Sequence, residues 1–175
     1  IGENLTIRRF AKVTAENGFV VSYVHAGGRI GVIEEADTDV VNDAVKECLS
    51  NVAMQVAALS PKYVATTDVP EDYKEHEKEI LMAQAQNDPK NANKPANIIE
   101  KMITGRLAKE LKEVCLLEQA YVKDGDLTVA KYIEQVAKEN GAKLSVKKFV
   151  RFETGEGLEK KVDDFAAEVA AQAGM

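Results

Sequence analysis

Two histidines and two cysteines are the first candidates in this sequence for a metal site or a reactive thiol. They are His25, His76, Cys48 and Cys115, and they lack the paired spacing of a zinc site. Each falls in a different predicted element, so we predict no metal ligand set. Two cysteines in a chain of this size do not form a disulfide framework. We expect reduced core thiols and a cytosolic type of compartment.

A serine-type triad is a second possible chemistry, because Ser22, His25 and Asp37 supply the required residue types. Successive side chains of a strand point to opposite faces of its sheet. Ser22 and His25 are an odd number of residues apart, so their side chains lie on opposite faces. The hydroxyl therefore lies out of reach of the imidazole, and we predict no catalytic residue.

Glycine-rich segments are a third possibility, since glycine loops can cradle phosphate groups. The AGGR and GEG segments lack the strand and helix context, and the spacing, of a phosphate-binding loop. The acidic EEAD segment has the composition of a solvated face or a helix cap. We predict no bound cofactor, and nothing in the spacing identifies an enzyme.

The charge balance limits the possible partners. The chain has 175 residues, 45% hydrophobic and 30% charged, with a net charge of -6. Such an acidic chain repels a phosphate backbone, so we expect no direct nucleic-acid binding. No apolar run approaches the roughly 20 residues of a membrane span, and we expect no membrane contact. The first residue, Ile1, favours a processed or truncated chain.

The first third of the chain has the pattern of a sheet. A strand is predicted over residues 5–13, followed by a turn at Asn17-Gly18 and a hairpin around Gly27-Gly28. A two-residue turn at these glycines pairs His25 with Ile30 and continues through the strands. One face then carries the following side chains: Val21, Tyr23, His25, Ile30 and Val32. The face is apolar, and His25 stands at its outer end.

His25 has two interpretations. A lone histidine at the rim of a sheet is most often structural or simply exposed. Its place beside a Gly-Gly turn, where another backbone can approach closely, also suits a contact residue.

The rest of the chain is mainly helical. Asp37-Thr38-Asp39 offers capping groups to a buried helix that runs from Val41 and ends at Ser60-Pro61. Two charged helical patterns joined by NDPKNANKP predict an antiparallel helical hairpin, and a helix capped by Thr128 and stopped by Asn140-Gly141 leads to the strand LSVKKFVRFE. A terminal amphipathic helix carries Phe165 and Val169. The predicted fold class is α+β, an antiparallel sheet with packed helices and an inserted antiparallel coiled-coil hairpin.

Several strings, in this order along nearly the whole chain, resemble bacterial-type elongation factor Ts. They are IGENLTIRRF, SYVHAGGRIGV, NIIEKMITGRLAKELKEVCLLEQAYVKD, TVAKYI, FVRFETGEGLEKK and DFAAEVAAQ. The resemblance implies a guanine nucleotide exchange factor for the translation GTPase elongation factor Tu. It also implies the second core subdomain in residues 1–68 and 119–157, a coiled coil within 69–118 and a C-terminal helical module in 158–175.

The resemblance also assigns partner-binding residues. The family's tip segment matches SYVHAGGRIGV, so the contact residues are expected to be His25, Gly27, Gly28, Arg29, Ile30 and Gly31. The terminal helix with Phe165 and Val169 matches a module that packs against the GTPase. A cytoplasmic, bacterial-type protein is implied, and an organellar relative fits as well.

The family's Thr-Asp-Phe-Val motif, whose Asp and Phe intrude beside the GTPase magnesium site, does not occur in these residues. The chain is therefore expected to be the C-terminal, dimerisation-type core, cut upstream of Ile1. Two other classes remain open. One is a dimerisation or scaffold module without exchange activity, which would self-associate as a homodimer. The other is an unrelated enzyme, which needs a pocket with perturbed titratable groups.

Overall fold

The computed structural model describes residues 2, 7–91 and 94–158 of the chain. Within that part, no helix has both the length and the apolar character needed to cross a membrane. The regular elements, in chain order, are β1 Gly18–His25, β2 Ile30–Thr38, α1 Asp43–Leu59, α2 Glu71–Asn87, α3 Ala96–Val114, β3 Ala120–Tyr121, β4 Asp124–Thr128, α4 Val129–Glu139 and β5 Leu144–Glu153. The α+β prediction with an antiparallel sheet is confirmed.

The main sheet has three antiparallel strands in the order β1-β2-β5. His25 pairs with Ile30 and Tyr23 with Val32, so the predicted hairpin register is confirmed. The central strand β2 pairs along both edges, and a bulge between Glu35 and Ala36 interrupts its ladder with β5.

The strand predicted over residues 5–13 is wrong for residues 7–13, which form no strand. Ile7 and Phe10 are exposed, and the segment instead meets the sheet through side chains, with the Arg9 guanidinium over the Phe152 ring at 4.4 Å. Residue types that favour strands do not form a strand unless the segment can pair with the edge of a sheet. The reason is that β-propensity mainly reflects packing of side chains on a sheet.

Helix α1 covers the inner face of the sheet. Its N-cap is Asn42, whose side chain accepts a hydrogen bond from Val45 N–H at 2.9 Å. The prediction that Asp37-Thr38-Asp39 caps this helix is wrong, because β2 continues through Thr38 and the Asp39 carboxylate accepts from Lys143 N–H. The predicted end is confirmed: Ser60 has φ 49°, and its N–H donates to Val56 O.

One apolar core joins the sheet, α1 and α4. Its buried members come from β2, α1, β3, α4, β5 and the segment before β3: Val32, Ala36, Val45, Cys48, Leu49, Val52, Ala53, Val56, Ala57, Leu116, Tyr121, Val129, Ile133 and Val146. Helix α4 has the predicted Thr128 N-cap, whose hydroxyl accepts from Lys131 N–H. The main core is therefore built from segments on both sides of the helical pair.

A small two-stranded sheet, β3-β4, was not predicted from the sequence. It is joined to α1 by Gln55, which is fully buried. The Gln55 amide donates to Ala120 O at 3.0 Å and accepts from Val122 N–H at 2.9 Å. A two-residue strand is too short to produce an alternating pattern, which explains why the sequence does not reveal it.

Helices α2 and α3 pack on each other through a separate cluster. Leu81, Ala85 and Ile103 are its buried residues, and Met82, Ile99 and Leu107 are half-buried around them. The base of the pair is fixed to the body where Lys62 and Tyr63 N–H groups both donate to Val114 O. The helical pair and the main body thus have distinct cores.

Glu34 lies in the middle of β2 with its side chain inside the main core. It is fully buried between the inward residues Val32 and Ala36, and neither carboxyl oxygen has a hydrogen-bond partner in the described residues. Burial raises its pKa from 4.5 to about 8. The side chain is therefore mostly uncharged near neutral pH.

This burial predicts a specific pH dependence of stability. The unfolded chain loses the Glu34 proton near pH 4.5, whereas the folded chain keeps it to about pH 8. Unfolding between these values releases a proton, so the contribution of Glu34 to the free energy of unfolding is greatest below 4.5 and falls as pH rises to 8, by at most about 1.4 kcal/mol per pH unit. Glu34→Gln should remove this component, measured by urea denaturation at about pH 5 and about pH 8.

Glu35→Gln is the matched control, because Glu35 lies on the opposite face and pairs with Lys148 at 3.0 Å. It should leave the Glu34 component in place. Identical pH dependence in the wild type and Glu34→Gln would contradict the assignment.

The separate clusters predict that the helical pair is dispensable for folding of the body. Replacing residues 72–112 by a Gly/Ser linker of about six residues keeps Val114 O for its two donors. Because the main core is untouched, we expect a single cooperative thermal transition by circular dichroism. Leu49→Ala, made in that shortened protein, should lower its stability by about 2 to 5 kcal/mol. Loss of the cooperative transition in the shortened protein itself would show that the two clusters depend on each other.

Candidate functional site

The tip of the β1–β2 hairpin is formed by residues 25–31. Gly27 and Gly28 have φ 66° and 94°, and Arg29 N–H donates to Ala26 O at 3.4 Å across them. Positive φ at both central residues is the geometry of the hairpin turn that glycine favours. A side chain at either position would meet no atom within 4 Å, so this backbone faces open space. A partner can approach the main chain directly.

His25 is exposed on the side of the tip that continues the inner face of the sheet. Its ring stacks on Tyr23, with centroids 5.9 Å apart and an angle of 26° between the planes. The Tyr23 hydroxyl oxygen lies 3.1 Å from His25 Nδ1, within hydrogen-bond distance. Both residues were predicted on one strand face, although their contact was not.

Arg29 connects the tip to the end of β5. Its carbonyl oxygen accepts from Thr154 N–H at 2.8 Å and from the Thr154 hydroxyl at 3.1 Å. Its exposed guanidinium has no ion pair within the described part of the chain. The tip therefore has a backbone held in place and a cation available to an acceptor on a partner.

Ile30 and Gly31 complete the tip on the β2 side. The Ile30 side chain is half-buried and packs against the main core. Gly31 stands between Val24 and Phe152 in the two ladders, with free space where a side chain would be. The outer face beside it is a shallow apolar surface.

Fixed charges surround the β5 side of the tip. Arg151 pairs with Glu153 at 2.8 Å, and Arg9 pairs with Glu156. The hydrogen bond from Arg9 lowers the pKa of Glu156 below its ordinary value. These carboxylates are neutralised within the chain and leave the Arg29 charge uncompensated by an ion pair.

The described residues form neither the serine-type triad nor a metal site. Ser22 lies on the outer face and His25 on the inner side, as the alternation predicts, so they form no triad with Asp37. Residues 2, 7–91 and 94–158 contain no group of three or more His, Cys, Asp or Glu placed to hold a metal. Cys48 and Cys115 are free and buried. Burial raises the pKa of Cys48 to about 12, which makes it a poor nucleophile.

The structure describes six of the eight partner-binding residues that were predicted from the sequence. All six tip residues named from the sequence come together around one turn, whereas Phe165 and Val169 lie outside the described residues. The sequence missed Thr154 as the anchor of Arg29. No local signal marks that contact, because the two residues are 125 positions apart.

Comparison with known proteins identifies the family. Residues 1–156 match the sequence profile of the family described as Elongation factor TS. The chain is 51% identical over 174 residues to elongation factor Ts of Clostridium botulinum (strain Eklund 17B / Type B), covering 99% of this chain and 56% of that protein. It is 53% identical over 172 residues to elongation factor Ts of Clostridioides difficile (strain 630), covering 98% and 55%.

The same likeness extends beyond the clostridia. Elongation factor Ts of Trichlorobacter lovleyi is 50% identical over 179 residues, covering 100% of this chain and 56% of that protein. The chain thus spans a little over half the length of these relatives. By its profile match over most of its length, and by its identity to these proteins, the chain belongs to the elongation factor Ts family.

Proposed function

We propose that this chain acts in guanine nucleotide exchange, promoting release of GDP from elongation factor Tu. The observation that carries the proposal is family membership, since about half of the residues are identical to those of proteins named elongation factor Ts. The chain would act by binding the GTPase and would make or break no covalent bond itself. It needs no cofactor or metal of its own.

Exchange by a binding protein depends on thermodynamic coupling. Contacts that distort the nucleotide site lower the affinity for nucleotide, and by reciprocity nucleotide lowers the affinity for the exchange factor. Such contacts must be stiff enough to transmit force to the GTPase. The tip suits this role because its turn is closed by the Arg29–Ala26 hydrogen bond and tied to β5 by Thr154. We assign the partner contact to His25, Gly27, Gly28, Arg29, Ile30 and Gly31.

The terminal module supplies a second contact in this proposal. By family resemblance, Phe165 and Val169 pack against the GTPase from residues 158–175. Residues 1–68 and 119–157 form the core subdomain that presents the tip. The two-part core is supported by the single apolar cluster that joins α1, α4 and the sheet.

The helical pair is proposed to be an inserted antiparallel coiled coil within residues 69–118. Support comes from its separate cluster around Leu81 and Ile103, and from the charged outer surfaces of both helices. It extends the molecule without contributing to the tip.

The proposal also concerns the cell compartment and contact with nucleic acid. The relatives reported above are bacterial proteins, so we place the chain in the bacterial cytoplasm. The net charge of -6 argues against direct contact with nucleic acid.

A dimerisation or scaffold module without exchange activity is the second candidate. The observation that favours it is an exposed apolar surface on the outer face of the sheet, where the Val20 and Val24 side chains are 38% and 68% exposed. Both side chains lie on the outward face of the edge strand β1, with Ser22 between them, and exposed apolar groups there suit contact with a second protein surface. This candidate predicts self-association without binding to the GTPase.

In these 175 residues, binding to elongation factor Tu should be separable from acceleration of nucleotide release. They lack the Thr-Asp-Phe-Val motif, which by family resemblance disturbs the GTPase magnesium site. We expect weak binding to elongation factor Tu, and slower release of a fluorescent GDP analogue than with full-length elongation factor Ts of Clostridium botulinum, in stopped-flow traces. His25→Ala should reduce the residual acceleration about threefold to tenfold, the effect of one lost hydrogen bond.

His76→Ala is the matched control, because His76 is exposed on α2, away from the hairpin. With this variant, elongation factor Tu should release the nucleotide as fast as it does with the wild type. Full acceleration by these residues would show that the missing motif is dispensable, and unchanged release with His25→Ala would remove that histidine from the contact.

Self-association is tested by light scattering with size-exclusion chromatography, on wild type and Val24→Ser. A concentration-dependent dimer that Val24→Ser weakens, with no binding to elongation factor Tu, would favour the scaffold candidate. A monomer that binds the GTPase would favour the exchange proposal. Val24→Ser should be tolerated by the fold, because the side chain is 68% exposed.

A further inference from the structure

We infer that Tyr23 is a positioning residue for His25: its phenolic hydroxyl donates to Nδ1, so that the neutral imidazole carries its proton on Nε2 and offers that N–H to an acceptor on the partner. The inference rests on the proposed function for the role of His25 in binding. The tautomer itself is a property of this chain alone. Tyr23 is not among the contact residues assigned above.

Tyr23 is well placed to hold another side chain. It is half-buried, it packs against the main core, and it pairs with the buried residue Val32 in the hairpin ladder. Its ring is therefore fixed by the body of the protein, while its hydroxyl reaches the tip. His25, by contrast, is exposed and lies beside a turn whose two central residues are glycines.

Two contacts with Tyr23 act on the His25 ring. The stacked arrangement with centroids 5.9 Å apart limits rotation of the imidazole, and the 3.1 Å approach of the Tyr23 hydroxyl to Nδ1 selects one nitrogen. A neutral imidazole has one donor nitrogen and one acceptor nitrogen. A phenol that donates to Nδ1 makes Nδ1 the acceptor, which leaves the proton on Nε2.

The Nε2 nitrogen of His25 is available to contact a partner. Nε2 has no hydrogen-bond partner in residues 2, 7–91 and 94–158, and the side chain is exposed. The partner group must therefore be an acceptor, such as a backbone carbonyl or a carboxylate. An imidazole already held in one rotamer and one tautomer loses less conformational freedom on binding than a mobile one.

The first experiment measures the tautomer on the chain without a partner. Nitrogen-15 chemical shifts of the His25 ring, at a pH where the imidazole is neutral, distinguish the acceptor nitrogen from the N–H nitrogen. We expect Nδ1 to be the acceptor in the wild type, and a mixture of tautomers in Tyr23→Phe, which keeps the stacked ring and removes only the hydroxyl. Tyr63→Phe is the control, because it deletes the same group at the base of the helical pair, where the Tyr63 ring contacts Tyr73.

The second experiment is a double-mutant cycle on binding to elongation factor Tu, measured by calorimetry. Tyr23→Phe should weaken binding about twofold to tenfold, the effect expected for one unfixed side chain. In the His25→Ala background the same change should have no effect, because there is no imidazole to position. A Tyr23 hydroxyl that only stabilised the fold would weaken binding equally in both backgrounds, and that result would overturn the inference.

The two experiments test the proposed function and the positioning role of Tyr23 separately. If the chain does not bind elongation factor Tu, the proposed function is wrong, and the tautomer measurement still decides whether Tyr23 fixes the imidazole. If Nδ1 carries the proton in the wild type, or if Tyr23→Phe leaves the tautomer unchanged, the positioning role is wrong whatever the binding result.

Discussion

The pairing of β2 along both of its edges determines how the main body of the protein is packed. With β1 on one side and β5 on the other, the register of β2 decides which side chains enter the core. A shift of one residue would turn Val32 and Ala36 to the outside, because side chains alternate along a strand. The same register places Tyr23 and His25 on one face and brings the ends of β1 and β5 to the tip.

This arrangement has an energetic cost at Glu34. The alternation that buries Val32 and Ala36 also buries a carboxyl group without a hydrogen-bond partner in the described residues. Protonation avoids the much larger cost of a buried charge, so the register is kept by neutralising the side chain. The helical pair is separate from this compromise, since its cluster around Leu81 and Ile103 shares no buried residue with the main core. Changes in one core therefore need not be transmitted through packing to the other.

The proposed exchange function depends on the same geometry. A partner that must be distorted needs a contact that does not itself yield, and a hairpin tip is normally among the more mobile parts of a protein. Here the tip is tied to β5 through Arg29 and Thr154, and its exposed histidine rests on a tyrosine held by the core. The open glycine backbone then lets another surface approach closely. Stiffness and accessibility are thus combined at one end of the sheet.

Features that depend on short stretches of chain could be predicted from the sequence. Alternation and the Gly-Gly turn were sufficient for the β1–β2 register, and helical periodicity with local breakers was sufficient for α1 to α4. The distinctive strings were sufficient for the family, because they occur in order along most of the chain.

Features that depend on contacts between distant segments could be read only from the folded structure. Residues 7–13 have strand-like composition but form no strand, since a strand exists only where an edge accepts it. Asn42, not Asp37-Thr38-Asp39, caps α1, because β2 extends through Thr38. The Arg29–Thr154 contact and the burial of Glu34 are likewise set by packing between segments far apart in sequence. Local patterns carry no information about such contacts, because the contacts exist only after the sheet has formed.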